Sequence, residues 1–155
     1  MRNKRLLDMR ILAVDPGEKR IGLALSDPTG TIANPLIVLN HVSRFIDAAQ
    51  IATLAGEHGV GRILVGATAD EDGQLTPQGR SASRLATAIR AQTSLPVELW
   101  DESGSTQAAR QASIALDVSA YKRRRQGHGH LDEFAATYIL QTYLDSHPSQ
   151  FEDVA

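Results

Sequence analysis

Short uninterrupted apolar runs alternate along the chain with longer stretches of helical spacing. Ile11-Leu12-Ala13-Val14 runs unbroken into Asp15. A run this short and continuous predicts a central strand buried on both faces. Pro16-Gly17 turns the chain, and Arg20 to Ser26 predicts a second strand paired antiparallel with the first. Asp27-Pro28-Thr29-Gly30 makes another turn. Thr31 to Leu39 reads as a third strand, and Pro35 points to an edge position. Ser43 is placed to cap a helix carrying Phe45, Ile46, Ala49, Ile51, Ala52, Leu54 and Ala55, which ends near Gly56 to Gly59. Arg62 to Gly66 is a further short apolar strand. The polar segment from Ala69 to Gly79 is expected to be flexible. A helix is predicted from about Pro77 to Gln92, with Leu85, Ala88 and Ile89 on its inner face. Val97 to Glu102 predicts a fifth strand, read as central, that runs into two acids. Ser103-Gly104-Ser105-Thr106 supplies turn and N-cap chemistry for a helix from about Gln107 to Leu116. A basic loop spans Tyr121 to His130, and the last helix runs from about Leu131 to Asp145.

Three strands in a meander, then helix, strand, helix, strand, helix, helix, predict an α/β fold. The expected sheet is five-stranded and mixed in direction, with helices on both faces. One domain is expected over residues 9–146, with flexible tails at 1–8 and 147–155 and Met9 as an alternative start.

Composition changes this picture little. In 155 residues, 42% are hydrophobic and 22% charged, as in ordinary soluble globular proteins. The absence of cysteine excludes a disulfide framework and a thiolate metal site. No apolar run approaches the roughly 18 residues that a membrane helix needs. The basic first residues are not followed by a signal-peptide core, so a cytoplasmic location without a membrane partner is expected. A net charge of -2 advertises no global attraction to nucleic acid, but Lys122-Arg123-Arg124-Arg125 is a local basic block.

The acids carry the chemistry. In the last helix, Asp132, Ala135, Ala136, Ile139, Leu140 and Tyr143 follow the i, i+3, i+4, i+7 pattern. Asp132 therefore belongs to the apolar face, in the first turn. A carboxylate facing a core is costly without a cation or strong donors beside it. A helix cap would explain Asp132 alone. It does not explain why Asp15 and the pair Asp101-Glu102 also end elements at what should be one edge. Both end strands expected to run parallel, and open α/β sheets place ligands at that carboxyl end. Carboxylates gathered there repel unless a divalent cation sits among them, and an oxygen-only donor set suits Mg²⁺ or Mn²⁺. Two such ions about 4 Å apart could activate water and stabilise the leaving oxygen of a phosphodiester.

These residues resemble the YqgF/RuvX family, a bacterial group with the RNase H-like fold. The resemblance is carried, in the family's order, by Asp15-Pro16-Gly17-Glu18-Lys19-Arg20-Ile21-Gly22, by Val65-Gly66 before Asp72-Gly73, by Asp101-Glu102 with Ser105-Thr106, and by Asp132 before Ala135-Ala136 and Ile139-Leu140-Gln141. It covers about Met9 to Asp145. It implies a metal-dependent nuclease, in keeping with the Mg²⁺ or Mn²⁺ ions read from the acids. Such proteins were long described as Holliday-junction resolvases and are now mostly described as processing the 5′ end of pre-16S rRNA. Asp15 is implied as the first-strand ligand, Asp101-Glu102 as the fifth-strand pair with Glu102 preferred, and Asp132 as the ligand on the last helix. Ala67 to Gly73 replaces the family's Leu-Pro and Asn-bearing loop. Ser103-Gly104 stands where an Arg and an apolar residue are usual, which removes a positive side chain beside the site.

Lys19, Arg20 and the block Lys122, Arg123, Arg124 and Arg125 are the expected contacts to nucleic-acid phosphates, with RNA favoured over DNA. A solvated loop is the plain alternative for the block. His128 and His130, flanked by glycine, read as surface histidines rather than metal ligands or a proton shuttle. Trp100 reads as core rather than as a base-stacking platform, and Asp70, Glu71 and Asp72 as solvated loop acids. A resolvase acting on DNA and a non-catalytic nucleic-acid-binding module remain as alternatives. A sugar-kinase-like phosphotransferase would need a second domain that 155 residues do not hold. Nothing in the sequence fixes the oligomeric state.

Overall fold

The computed structural model describes residues 10–101 and 131–147. Along them run β1 (Arg10–Pro16), β2 (Arg20–Ser26), β3 (Ala33–Asn40), α1 (Arg44–Glu57), β4 (Val60–Gly66), α2 (Pro77–Arg90), β5 (Val97–Trp100) and α3 (Leu131–Ser146). The strands form one five-stranded sheet in the order β3-β2-β1-β4-β5. β1 pairs antiparallel with β2 and parallel with β4, β2 pairs antiparallel with β3, and β4 pairs parallel with β5. The mixed sheet expected from the element order is the one observed.

β1 occupies the centre, where a strand must be apolar on both faces. Ile11, Leu12, Ala13 and Val14 are at most 1% exposed. The pleat divides them between two layers. Leu12 and Val14 pack with Ala48 and Ile51 of α1 and with Ala82, Leu85 and Ile89 of α2. Ile11 and Ala13 pack with Ala136, Ile139, Leu140 and Tyr143 of α3. Helices thus cover both faces, and each fully buried Leu or Ile contributes about 1.5–3 kcal/mol. Pro35 lies in β3 at the sheet edge, where the ladder to β2 slips between Leu23 and Ala24. A missing N–H costs nothing on that side.

Four details differ from the sequence expectation. β5 is an edge strand among the described residues, not a central one, and it ends at Trp100, before the two acids. Phe45 and Ile46 are 69% and 41% exposed, because the buried stripe of α1 runs through Asp47, Ala48, Ile51 and Ala55. β4 begins earlier, at Val60, and α2 ends at Arg90. The polar segment after β4 is a hydrogen-bonded turn rather than a loose loop. Asp70 Oδ1 accepts from the N–H groups of Asp72 and Gln74, both at 2.9 Å, and Gly73 adopts φ 81°. Asp70 is therefore a turn-holding acid.

Glu102, the helix expected near Gln107–Leu116, the basic loop with His128 and His130, and the tails at 1–8 and 148–155 lie outside the described residues, while His147, expected in the flexible tail, is stacked on Tyr143 at 4.1 Å. No helix among the described residues is long and apolar enough to cross a membrane.

Candidate active site

β1 carries Asp15 out of the core to the carboxyl end of the sheet, where it is half-buried. By strand alternation it shares the face of Ile11 and Ala13, the face covered by α3. Both lateral neighbours of Asp15 are glycines. Gly22 is its direct partner on β2, and on β4 Gly66 follows Val65, the partner of Val14. Neither puts a Cβ beside the carboxylate. The turn after it also depends on glycine, since a Cβ at Gly17 would run into the carbonyl oxygen of Arg20.

Gly66 has a second role. A Cβ there would stand 2.6 Å from Ile139 Cδ1, so α3 is seated directly on the end of β4. Asp132 belongs to the first turn of this helix, and its side chain is outside the described set.

Trp100 pairs with Gly66 and faces α3. Its ring meets Tyr143 edge-on at 5.1 Å and His147 at 5.4 Å, and its Nε1 donates to Thr142 Oγ1 at 3.3 Å. It is a packing residue between sheet and helix. Asp101 follows, exposed, while the Ala67 N–H extends the ladder by donating to the Trp100 carbonyl at 3.1 Å.

Because β1, β4 and β5 are mutually parallel, Asp15 and Asp101 stand at the same edge. Two strand spacings, about 10 Å, separate their backbones. Lys19 and Arg20 are exposed at that edge, in the β1–β2 turn and at the start of β2. Lys122 to Arg125 lie outside the described residues. Among the described residues no three His, Asp or Glu side chains are gathered as a metal site.

One pair built on a buried carboxylate escaped the sequence reading. Asp47 of α1 is 2% exposed and meets the Nδ1 of His41 at 2.5 Å. The signal was present: Asp47 precedes Ile51 and Ala55 by four and eight residues, the spacing that singled out Asp132.

Residues 9–146 match the family described as RuvX: Holliday junction resolvase. The chain belongs to the RuvX family. Among its relatives, a protein of Thermoanaerobacter pseudethanolicus named "Putative pre-16S rRNA nuclease" is 39% identical over 139 residues, 89% of this chain and 97% of its own. A protein of the same name from Geobacillus thermodenitrificans is 40% identical over 140 residues, covering 89% and 99% of the two chains. In structure, the chain resembles Thermus thermophilus RuvC, solved in complex with a Holliday junction substrate. That likeness has a TM-score of 0.55 at 12% identity and covers 90% of this chain and 96% of the other. At that identity it speaks for the fold alone, which is RNase H-like. A RuvX-family chain with an RNase H-like sheet is what the opening motif and the ordered acids led us to expect.

Proposed function

We propose that this protein is a divalent-metal-dependent nuclease that hydrolyses phosphodiester bonds in RNA, acting on the 5′ end of pre-16S rRNA. The observation that carries the reading is Asp15: a carboxylate at the end of the central strand, flanked by two glycines, at the edge where the chain also brings Asp101. The RuvX-family relatives named for pre-16S rRNA supply the substrate class.

The donor set suits a hard cation, since the candidate side chains offer only carboxylate oxygen. Asp15, Glu102 and Asp132 would hold it, as Mg²⁺ or Mn²⁺, with room in the reading for two ions. Of the pair Asp101-Glu102, the family resemblance prefers Glu102. A bound pair of such ions supplies an activated water and neutralises the leaving oxygen. The protein's own part is to keep Asp15 fixed at the end of a rigid central strand, and to hold the substrate's phosphates with Lys19, Arg20 and the block Lys122 to Arg125.

The test is incubation of the purified protein with single-stranded RNA, single-stranded DNA and a four-way DNA junction, each with Mg²⁺, Mn²⁺ or EDTA. Metal-dependent cleavage of RNA is expected, lost in Asp15→Asn, Glu102→Gln and Asp132→Asn with circular dichroism unchanged. Cleavage of the junction alone would replace the RNA reading with a resolvase. Binding without cleavage on all three would make the chain a non-catalytic module.

A further inference from the structure

We infer that the cavity beside the Pro16–Gly17 turn is a nucleotide subsite, holding one unpaired nucleotide of the substrate strand at the turn that follows Asp15, on the sheet face opposite the one Asp15 shares with Ile11 and Ala13. The substrate class rests on the nuclease reading above; the place rests on the geometry that follows.

The cavity has a volume of about 440 Å³ and lies on the α1–α2 side of the sheet, with Pro16, the residue after Asp15, in its wall. That size falls within the range of small-molecule sites. Its lining includes the buried apolar side chains of Ile21 and Leu85 and the polar groups of Glu18, His41 and Arg44.

His41 is held in place. One oxygen of Asp47 accepts the Val42 N–H at 3.0 Å, and the other meets His41 Nδ1 at 2.5 Å. A carboxylate only accepts, so Nδ1 carries the hydrogen and Nε2 is the nitrogen left to meet a ligand. Capping α1 does not account for Asp47, because Ser43 Oγ already accepts from the Ile46 N–H at 3.2 Å. Both oxygens of a buried carboxylate are committed to the segment that presents His41.

The charges around the cavity select the ligand class. Arg44 is exposed and makes no ion pair with a described residue, but Glu18 and Asp47 share its lining. A bare anion would meet two carboxylates there. A nucleotide divides its chemistry the way the cavity does. The base covers Ile21 and Leu85 and turns its polar edge to His41 and Glu18, and the phosphate goes to Arg44. The base must be unpaired, since side chains read single-stranded bases by taking them out of the stack.

The experiment is metal-free NMR of the whole protein, titrated with each of the four nucleoside 5′-monophosphates and, separately, with inorganic phosphate. The His41 ring signals are assigned by their loss in His41→Gln. Nucleotides are expected to shift them with unequal affinities among the bases, and phosphate to leave them in place. His41→Gln and Arg44→Ala, both folded by circular dichroism, should each weaken nucleotide binding about tenfold, the scale of one lost hydrogen bond to a charged group. Shifts reproduced by phosphate alone, or absent with every nucleotide, overturn the subsite. Cleavage is read in a separate assay. Loss of cleavage in Asp15→Asn with no nucleotide shift removes the subsite only; nucleotide shifts in a protein that cleaves nothing support the subsite and remove the nuclease reading.

Discussion

Gly66 and Ile139 are in contact so close that no other residue fits at position 66 unless Ile139 gives way: a Cβ on the glycine would lie 2.6 Å from Ile139 Cδ1. The obstacle is the end of a flexible side chain rather than backbone. Gly66→Ala should therefore fold, at a cost of about 1–3 kcal/mol for overpacking. Ile139→Val removes the clashing methyl, so in that background Gly66→Ala should cost clearly less. Urea unfolding of the four proteins measures the coupling. Additive costs would show that the helix shifts as a unit.

Metal binding should appear in stability as well as in cleavage. At a metal concentration 100 times Kd, a fold that binds the ion gains about 2.7 kcal/mol. Thermal melts with Mn²⁺ and with EDTA should show a metal-induced rise in wild type that is lost in Asp15→Asn and Asp132→Asn. In EDTA, Asp132→Asn should melt at or above wild type, because removing one charge from a carboxylate cluster relieves repulsion. If Asp132 only caps its helix, asparagine serves nearly as well and metal shifts both proteins equally.

The basic block is tested by salt. Changing Lys122, Arg123, Arg124 and Arg125 to Ala should weaken single-strand binding nearly independently of sequence. The slope of log K against log salt should fall by up to about 0.7 for each lost phosphate contact. Fluorescence anisotropy across a salt series gives the slope directly, and an unchanged slope would mark the block as solvated loop.

Asp27 gives the fold a pH dependence away from the site. Its Oδ1 accepts from the Thr31 N–H at 2.8 Å and the Ile32 N–H at 3.0 Å, and its Oδ2 from Thr29 Oγ1 at 2.5 Å. Partial burial pushes its pKa up, but the hydrogen bonds from Ile32, Thr29 and Thr31 outweigh that and hold it below the ordinary value. A carboxyl lowered in the fold contributes stability above its unfolded pKa and loses it as pH falls through the folded one. Asp27→Ala should cost about 1 kcal/mol at pH 7, the net worth of a typical hydrogen bond. The gap from wild type should close as the pH is taken below about 4, the usual carboxylate range. Chemical unfolding of both proteins from pH 7 to pH 2 measures it.

Where the sequence was legible, one physical signal dominated. Ile11 to Val14 had no polar face, so β1 had to be central, and Pro35 could be tolerated only where its missing N–H faced away from a partner. The strand parities followed, and with them the shared edge of Asp15 and Asp101. Edge against centre was harder to read for β5. Val97-Glu98-Leu99-Trp100 is nearly apolar because Trp100 packs on Tyr143 of α3 and on His147 just after it, contacts no local pattern reveals. On α1, Phe45 and Ile46 supplied more apolar surface than one stripe can bury, which concealed that Asp47, a polar residue, held the inner position. Ala69 to Gly79 looked loose because its order comes from hydrogen bonds that no apolar pattern reveals: Asp70 bonds backbone two and four residues on, Ala69 bridges to Leu75, and Thr76 caps α2, which begins at Pro77.

The strand order also gives the two acids unequal lifetimes in place. Asp15 rides on the strand paired on both sides and buried on both faces, whose amides open to solvent only when the whole domain does. Asp101 follows a four-residue strand with a single partner among the described strands. Hydrogen exchange at Leu99 and Trp100 should therefore proceed through local opening at far lower cost than at Ala13 and Val14. In such an opening Asp101 leaves the edge while Asp15 stays. The protein would then spend time fully folded at its centre and open at its rim.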